Sequence, residues 1–509
     1  MTKKCLLFAI FLLVLSLFSC SSSKSQNDSD ILPDSDSDNT ETIADDDTDE
    51  EDSDFIDDSD EKPDHDADSA TPEEPDGEIF EETEPINGYA RCYDKIPAGD
   101  YEGFFADKKI ESQIKTSLGY DSDYELSEED FENIKSLVVC VQDLRGIEKL
   151  INLETITISG GNVYDFSPLL KLKNLKNLII DAEEAVFCSG GFFPGISQVT
   201  PKDSLSENIT CLDGSFSLLT NLETVKISNT ILKDISPVEQ LVNLISLTTY
   251  YNDIELLPKN IGNLQRLEEF IFSFNNVKDI TPVKSLKNLK KLMFDYNDVE
   301  DISPIKDLIN LNILYCNSNR ISDISPITSL INLIYLGLNQ NQIEEIPKEI
   351  TNLKKLKDLD LSLNNISNLP ELKGLDSVEV ILLTNNFLNE ETIMKLGELE
   401  NLKFLRLSYN KFTKIPVMRN LKSLTTLYMS SNTITDLAGF ADNESFPALE
   451  NLYLDSNKIN NVEVLRHREG LMKLFIGKNC IEDLSPLEEL KENGTYISGM
   501  NEQLESCER

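Results

Sequence analysis

The 509-residue chain contains no tryptophan and only two histidines, His65 and His467. A histidine-based zinc site needs several ligands at close spacing, so none can be built. No cysteine–histidine pair stands in a plausible catalytic setting. The glycines, 21 in all, form neither a phosphate-cradling loop nor a Gly-x-Ser-x-Gly elbow. Basic residues are scarce as well: 46 Lys and Arg stand against 91 Asp and Glu, a formal net charge of −45. Such a surface repels phosphates and excludes nucleic acid as a partner. The carboxylates are spread along the chain, so no catalytic acid pair can be singled out. These absences argue against an enzyme and against any metal or other cofactor. What remains is a binding module.

The positive signal is a period. Asn252, Asn275, Asn297, Asn319, Asn341, Asn364, Asn386, Asn410, Asn432, Asn457 and Asn479 are separated by 23, 22, 22, 22, 23, 22, 24, 22, 25 and 22 residues. An interval near 22 is too long for a heptad and too short for a domain, and indicates a solenoid with one structural unit per turn. Apolar residues keep the same frame. One unit places Leu289, Leu292, Phe294, Val299, Ile302, Ile305 and Leu308, and the next places Leu311, Leu314, Cys316, Ile321, Ile324, Ile327 and Leu330. The alternation of Leu292 and Phe294 predicts a short strand with one face inward, followed by a tight return segment. A unit this small cannot offset its own chain entropy by the side chains it buries, so neighbours must stack. Each asparagine, at the bend after the strand, is placed to satisfy backbone groups that no regular ladder reaches.

This pattern resembles the bacterial leucine-rich repeats of the internalin-like type, whose units carry an Asx-Ile-Ser-Pro return segment. Segments of this kind run Asp165–Pro168, Asp234–Pro237, Asp301–Pro304, Asp323–Pro326 and Asp483–Pro486, with threonine for serine at Asp279–Pro282. Other units have a Leu-Pro or Ile-Pro step, at Pro258, Pro347, Pro370 and Pro416. The resemblance implies an α/β solenoid, a horseshoe with a parallel β-sheet on its concave face, over residues 134–491. It fits a helical N-terminal cap at 89–133, in which Asp107–Leu118 reads as an amphipathic helix and Ser127 with Asp130 as a capping box. Residues 492–509 form the C-terminal cap.

At the start of the chain, Lys3 and Lys4 precede an apolar run from Cys5 to Phe18, too short for a membrane span and read as a signal peptide over 1–19. Leu17-Phe18-Ser19-Cys20 resembles the bacterial lipobox, which implies that Cys20 is acylated with palmitate-type chains and becomes the mature N-terminus. Two or more such chains hold a protein on a bilayer almost permanently. By the same analogy Ser21 permits sorting to an outer membrane, so the expected place is the bacterial envelope, lipid-anchored, at the outer membrane or cell surface. Residues 20–88 read as a disordered acidic tether: 21–88 hold 28 Asp or Glu against two Lys. Asp34, Asp36 and Asp38 alternate as in a calcium loop, but Asn39 stands where that loop needs glycine, so the reading is a solvated spacer.

The cysteines fit an exported protein. Cys316 takes an inward strand position and is expected as a buried free thiol. Cys92, Cys140, Cys188, Cys211, Cys480 and Cys507 lie outside the regular core. Adjacent pairing, Cys92 with Cys140, Cys188 with Cys211 and Cys480 with Cys507, is the simplest of fifteen connectivities. The second pair brackets an insertion at about 181–217 whose Phe192 and Phe193, between glycines, suggest either an exposed apolar tip or two rings folded onto a neighbouring coil.

Family resemblance places binding on the concave face, on side chains alternating with the core leucines. Mapped here these are Tyr250, Tyr251, Phe274, Met293, Tyr296, Tyr315, Tyr335, Phe404, Tyr409, Tyr428, Tyr453 and Phe475. Tyr251, Phe274 and Tyr296 share one position in three units and should stand about 5 Å apart, as strands do. A second row is Tyr428, Tyr453 and Phe475. Aromatic density of this kind suits protein hot spots, although tyrosine also favours strands for its own sake. Two function classes follow: a surface-anchored protein that grips a protein ligand, and an envelope component that binds glycan or organises the cell's own surface.

Overall fold

A computed structural model of the chain describes residues 103–505, apart from 160–162, 164, 182–211 and 443, together with residue 507. Cys20, the acidic tether, Cys92, Cys188, Cys211, Phe192 and Phe193 lie outside the described residues.

Sixteen parallel strands, from Ser136–Val139 to Tyr496–Ser498, form one sheet in which every strand pairs with its neighbours in chain order. The register advances by one repeat per strand, so that Leu292 pairs with Leu314 and Leu314 with Leu336. In most of the three-residue strands the middle residue is buried and the flanking pair stays half-buried, as at Lys291–Met293 and Ile313–Tyr315. The inward residues join Val299, Ile302, Ile305 and Leu308 and their equivalents in one continuous core. Cys316 sits in that core as a free thiol, its Sγ 3.4 Å from the Gly337 carbonyl.

The return segments show why aspartate, serine and proline recur. The Asp301 carboxylate accepts from the Ser303 amide at 2.7 Å and Asp323 from the Ser325 amide at 2.8 Å, each opening a short 3₁₀ turn. Proline follows where a missing N–H costs nothing. At Asp483 the same device, with Ser485 N–H at 3.0 Å, starts the α-helix Ser485–Glu492 instead.

All eleven asparagines bridge two coils. Asn297 donates from Nδ2 to the carbonyls of Phe294 at 3.0 Å and Asp295 at 3.3 Å in its own bend and of Phe272 at 3.1 Å in the coil before. Its Oδ1 accepts from the Val277 amide at 2.9 Å. The residue before each asparagine has a positive φ, between 53° and 59°, which aims the amide inward. The ladder also extends beyond the asparagines. Thr230, one unit before Asn252, donates to Asn252 Oδ1, and Gln503 after the last coil donates to Ile476 O at 3.1 Å and Gly499 O at 2.8 Å.

A second ladder lies on the outer edge. Asn243, Asn288, Asn310 and Asn332 donate to Thr220, Gln265, Lys287 and Ile309 carbonyls of the preceding coil at 2.7–2.9 Å. Each opens an Asn-Leu step at the start of its repeat, a second sequence signal with the same period.

The helix Lys108–Leu118 packs on the first strand, with Asp107 capping its N-terminus, Gly119 its C-terminus, and Ile110 and Ile114 buried. Ser127 donates from its amide and hydroxyl to Asp130 Oδ2 at 2.8 and 2.7 Å. Gly146 joins this region to the first coil at φ 101°, where a Cβ would stand 2.3 Å from the Phe104 carbonyl. Cys140 is disulfide-bonded, and Cys480 and Cys507 are joined with Cα atoms 5.7 Å apart. Among the described residues no helix is long and apolar enough to cross a membrane.

Candidate binding face

The outward side chains of the strands form two columns. Tyr335 and Phe404 stand in the first, and Met293, Tyr315, Tyr428, Tyr453 and Phe475 in the second, all half-buried. Tyr250, Tyr251, Phe274, Tyr296 and Tyr409 do not belong to the strands. They lie in the bend that follows, and the last four have φ of 59°, 59°, 54° and 57°. Their expected strand placement is corrected for a physical reason: the strands end after three residues because the backbone must turn to present the ladder asparagine. The row itself exists at the sheet's edge, with Tyr251 and Phe274 ring centroids 5.5 Å apart and Phe274 and Tyr296 stacked at 4.3 Å.

The second row is tighter. Tyr428 and Tyr453 stack at 3.8 Å and Tyr453 and Phe475 at 4.5 Å, with 9° between planes in both pairs. Both ends are closed: the Arg406 guanidinium lies 4.6 Å from the Tyr428 centroid, and Tyr496 meets Phe475 at 6.0 Å. Burial pushes the Tyr453 hydroxyl up to about 12, helped by its neighbour Tyr428, so this hydroxyl at the centre of the row stays uncharged at any ordinary pH.

Arg406, Tyr496, Asp358 and Asp360 were not singled out by sequence reasoning. Their signal was positional, since Arg406 occupies the Tyr428 column and Asp358 the Tyr335 column once the repeats are aligned. Arg406 is set in an aromatic frame, 5.5 Å from the Phe404 centroid as well, and its Nε is buried without a hydrogen-bond partner. The Asp358 carboxyl is pushed up to about 6, first by burial and then by the Glu379 carboxylate, with partial relief from Lys357. Asp360 is raised by burial despite accepting from the Ser362 amide at 2.9 Å. Burial pushes the Tyr315 hydroxyl up to about 12, helped by the nearby Asp358, Asp295 and Asp360.

A pH-dependent stability follows. An acid whose folded pKa is raised stabilises the fold while protonated, and that contribution is lost as pH rises through the folded value near 6. Asp358→Asn is therefore expected to raise stability at pH 7.5 by ~1 kcal/mol, a figure discounted for the side chain's solvent exposure. At pH 4 the gain should vanish. Urea midpoints of both proteins at the two pH values check it, and a gain that persists at pH 4 would assign the effect to something other than titration.

A sequence model of leucine-rich repeats in two copies matches residues 287–329, 400–442 and 422–467. The fold is a leucine-rich-repeat solenoid. Among curated proteins none matches the sequence. Solved structures do: an internalin, InlF, of Listeria monocytogenes is 26% identical, with 78% of this chain and 96% of that chain covered at a TM-score of 0.49. A leucine-rich-repeat protein of Leptospira interrogans is 23% identical, with 73% and 97% covered and a TM-score of 0.57. The plant peptide hormone receptor RGFR1, solved in complex with RGF2, is 17% identical, with 75% and 65% covered and a TM-score of 0.56. The leucine-rich-repeat domain shares its fold with the Leptospira protein and the plant receptor. Among its described residues, no group of three or more His, Cys, Asp or Glu is arranged to hold a metal ion.

Proposed function

We propose that this chain is a lipid-anchored extracytoplasmic protein that binds a protein partner through its concave face. The observation that carries the reading is the row Tyr428, Tyr453 and Phe475, three rings aligned on consecutive strands of an open sheet. Rigid aromatic side chains held in register lose little entropy on contact and are the usual anchors of protein interfaces. The rings also discriminate between ligands. Their faces are occupied by one another and by Arg406, which leaves edges and hydroxyls outward. A sugar ring stacks on an open aromatic face, and this row offers none at its interior positions; a protein surface can use the edges. The plant receptor solved in complex with RGF2 has the same fold, which is consistent with such a use.

Anchoring rests on the sequence alone: Lys3, Lys4, the run from Cys5 to Phe18, and Cys20. Cys20→Ser in a lipoprotein-processing bacterium is expected to abolish incorporation of a labelled fatty acid and to move the protein out of the membrane fraction. Protease treatment of intact cells, cutting near Tyr89, then reports whether the domain faces outward.

The binding test compares wild type with Tyr453→Ala for capture of a partner from cell-surface preparations. A hot-spot ring is worth roughly 2 kcal/mol or more, about thirtyfold in affinity. Capture should drop by that factor in the variant and disappear when the preparation is digested with protease. Capture that survives digestion and boiling would replace the protein reading with the glycan one.

A further inference from the structure

The concave face holds two charged side chains that form no ion pair among the described residues, although Lys357 acts on Asp358 and Asp360 and Arg406 act on each other electrostatically. Among the described residues the Asp358 carboxylate accepts no hydrogen bond and forms no ion pair. Arg406 has a buried Nε without a hydrogen-bond partner and lies against the Phe404 and Tyr428 rings. The other charges nearby are engaged. Glu379 is bound by Lys403 at 2.7 Å and Lys357 at 3.6 Å, and Asp360 accepts from Ser362. The strand Val380–Leu382 separates the two and presents Val380 and Leu382 outward between them. Strand spacing near 4.8 Å, with a two-residue offset along the strand, sets Asp358 and Arg406 about 12 Å apart on the diagonal.

Resting on the reading that this face binds protein, we infer that the partner presents a basic side chain to Asp358 and a carboxylate to Arg406, with an apolar group over Val380 and Leu382 between them. Half-withdrawn charges gain most from a partner, because desolvation has already been met in the free protein and only the attraction is added on binding. The rings of Phe404 and Tyr428 hold the guanidinium plane in place, so a carboxylate can be met by a planar donor whose orientation is set beforehand. A partner of uniform charge would satisfy one site and oppose the other. The two positions therefore select for sign as well as for shape.

The test uses a random peptide display library selected on the purified full-length protein, with parallel selections on Asp358→Asn, Arg406→Gln and Tyr453→Ala. Peptides selected on the wild type are expected to contain a Lys or Arg and an Asp or Glu within about five residues of each other, a reach of ~3.3 Å per residue. Their affinity should fall about tenfold with either charge variant. Pools selected on Asp358→Asn should lose the basic residue alone, and pools selected on Arg406→Gln the acidic one alone. Arg406→Lys, which keeps the charge without the planar fork, should restore part of the affinity. Peptides that bind through Tyr453 yet ignore both charge variants would overturn this inference and leave the concave-face reading standing. Peptides indifferent to all three substitutions, or no enrichment at all, would count against both. Unchanged thermal unfolding of Arg406→Gln separates lost contact from lost fold.

Discussion

Asn319→Ala is expected to destabilise the leucine-rich-repeat domain by about 2–3 kcal/mol, because one side chain makes four hydrogen bonds to buried backbone groups and the Val299 N–H has no other partner among the described residues. Its Nδ2 donates to Phe294 O at 3.0 Å, Cys316 O at 3.2 Å and Asn317 O at 3.1 Å, and its Oδ1 accepts from Val299 N–H at 3.0 Å. Two of those groups, Phe294 O and Val299 N–H, belong to the preceding coil, so the loss also loosens the coupling on which a stacked array depends. Asn319→Asp is nearly isosteric and should be worse than alanine, since it replaces a donor with an anion facing three carbonyl oxygens. Asn410 provides the internal control. It makes the same bonds, to Leu383, Leu407 and Ser408 carbonyls and from Leu388 N–H, but it is half-buried. Water can replace part of what is lost there, so Asn410→Ala should cost about half as much. Urea unfolding and amide exchange at Val299 check the series. Equal costs at the two positions would mean that burial does not set the contribution of the ladder.

Removing the Cys480–Cys507 disulfide by substituting both residues with alanine is expected to cost about 3–4 kcal/mol. That value follows from the chain entropy of a closed loop with a sequence separation of 27. The consequence should be local. The bond ties the end of the chain to the last full coil, over which Tyr496–Ser498 adds the final strand and Gln503 completes the ladder. Without it that segment can lift away, exposing the edge of the sheet and the buried residues Leu474 and Ile476. Amide exchange should therefore accelerate at residues 496–504 and remain slow in the central coils, as expected where stability is a sum of nearest-neighbour terms. Uniform acceleration along the whole array would contradict that picture.

The aromatic rows show how far pattern reading reached. Tyr428, Tyr453 and Phe475 were placed correctly because they flank an inward leucine in strands whose register repeats without interruption. Tyr251, Phe274, Tyr296 and Tyr409 follow the same apparent alternation but occupy left-handed backbone in the bend. Alternation with period two continues on paper past the point where the chain stops being a strand, and the stopping point is set by hydrogen bonds between coils. Arg406 and Asp358 escaped notice for another reason. A single arginine or aspartate in a repeat resembles any solvated charge until its neighbours on adjacent strands are known to be rings or a further acid.

The sequence by itself determined the period, the inward residues, the ladder asparagines and the turns begun by Asp-x-Ser-Pro. Each of these depends on contacts within one unit or between equivalent positions of successive units, and a repeat writes such contacts many times over. Only the tertiary structure decided which aromatic residues face outward from strands and which stand in the bend, that Thr230 and Gln503 extend the ladder, and that Asp358 and Arg406 form no ion pair among the described residues. Those properties arise between non-equivalent residues on neighbouring strands about 5 Å apart. No period in the chain records them, because each occurs once.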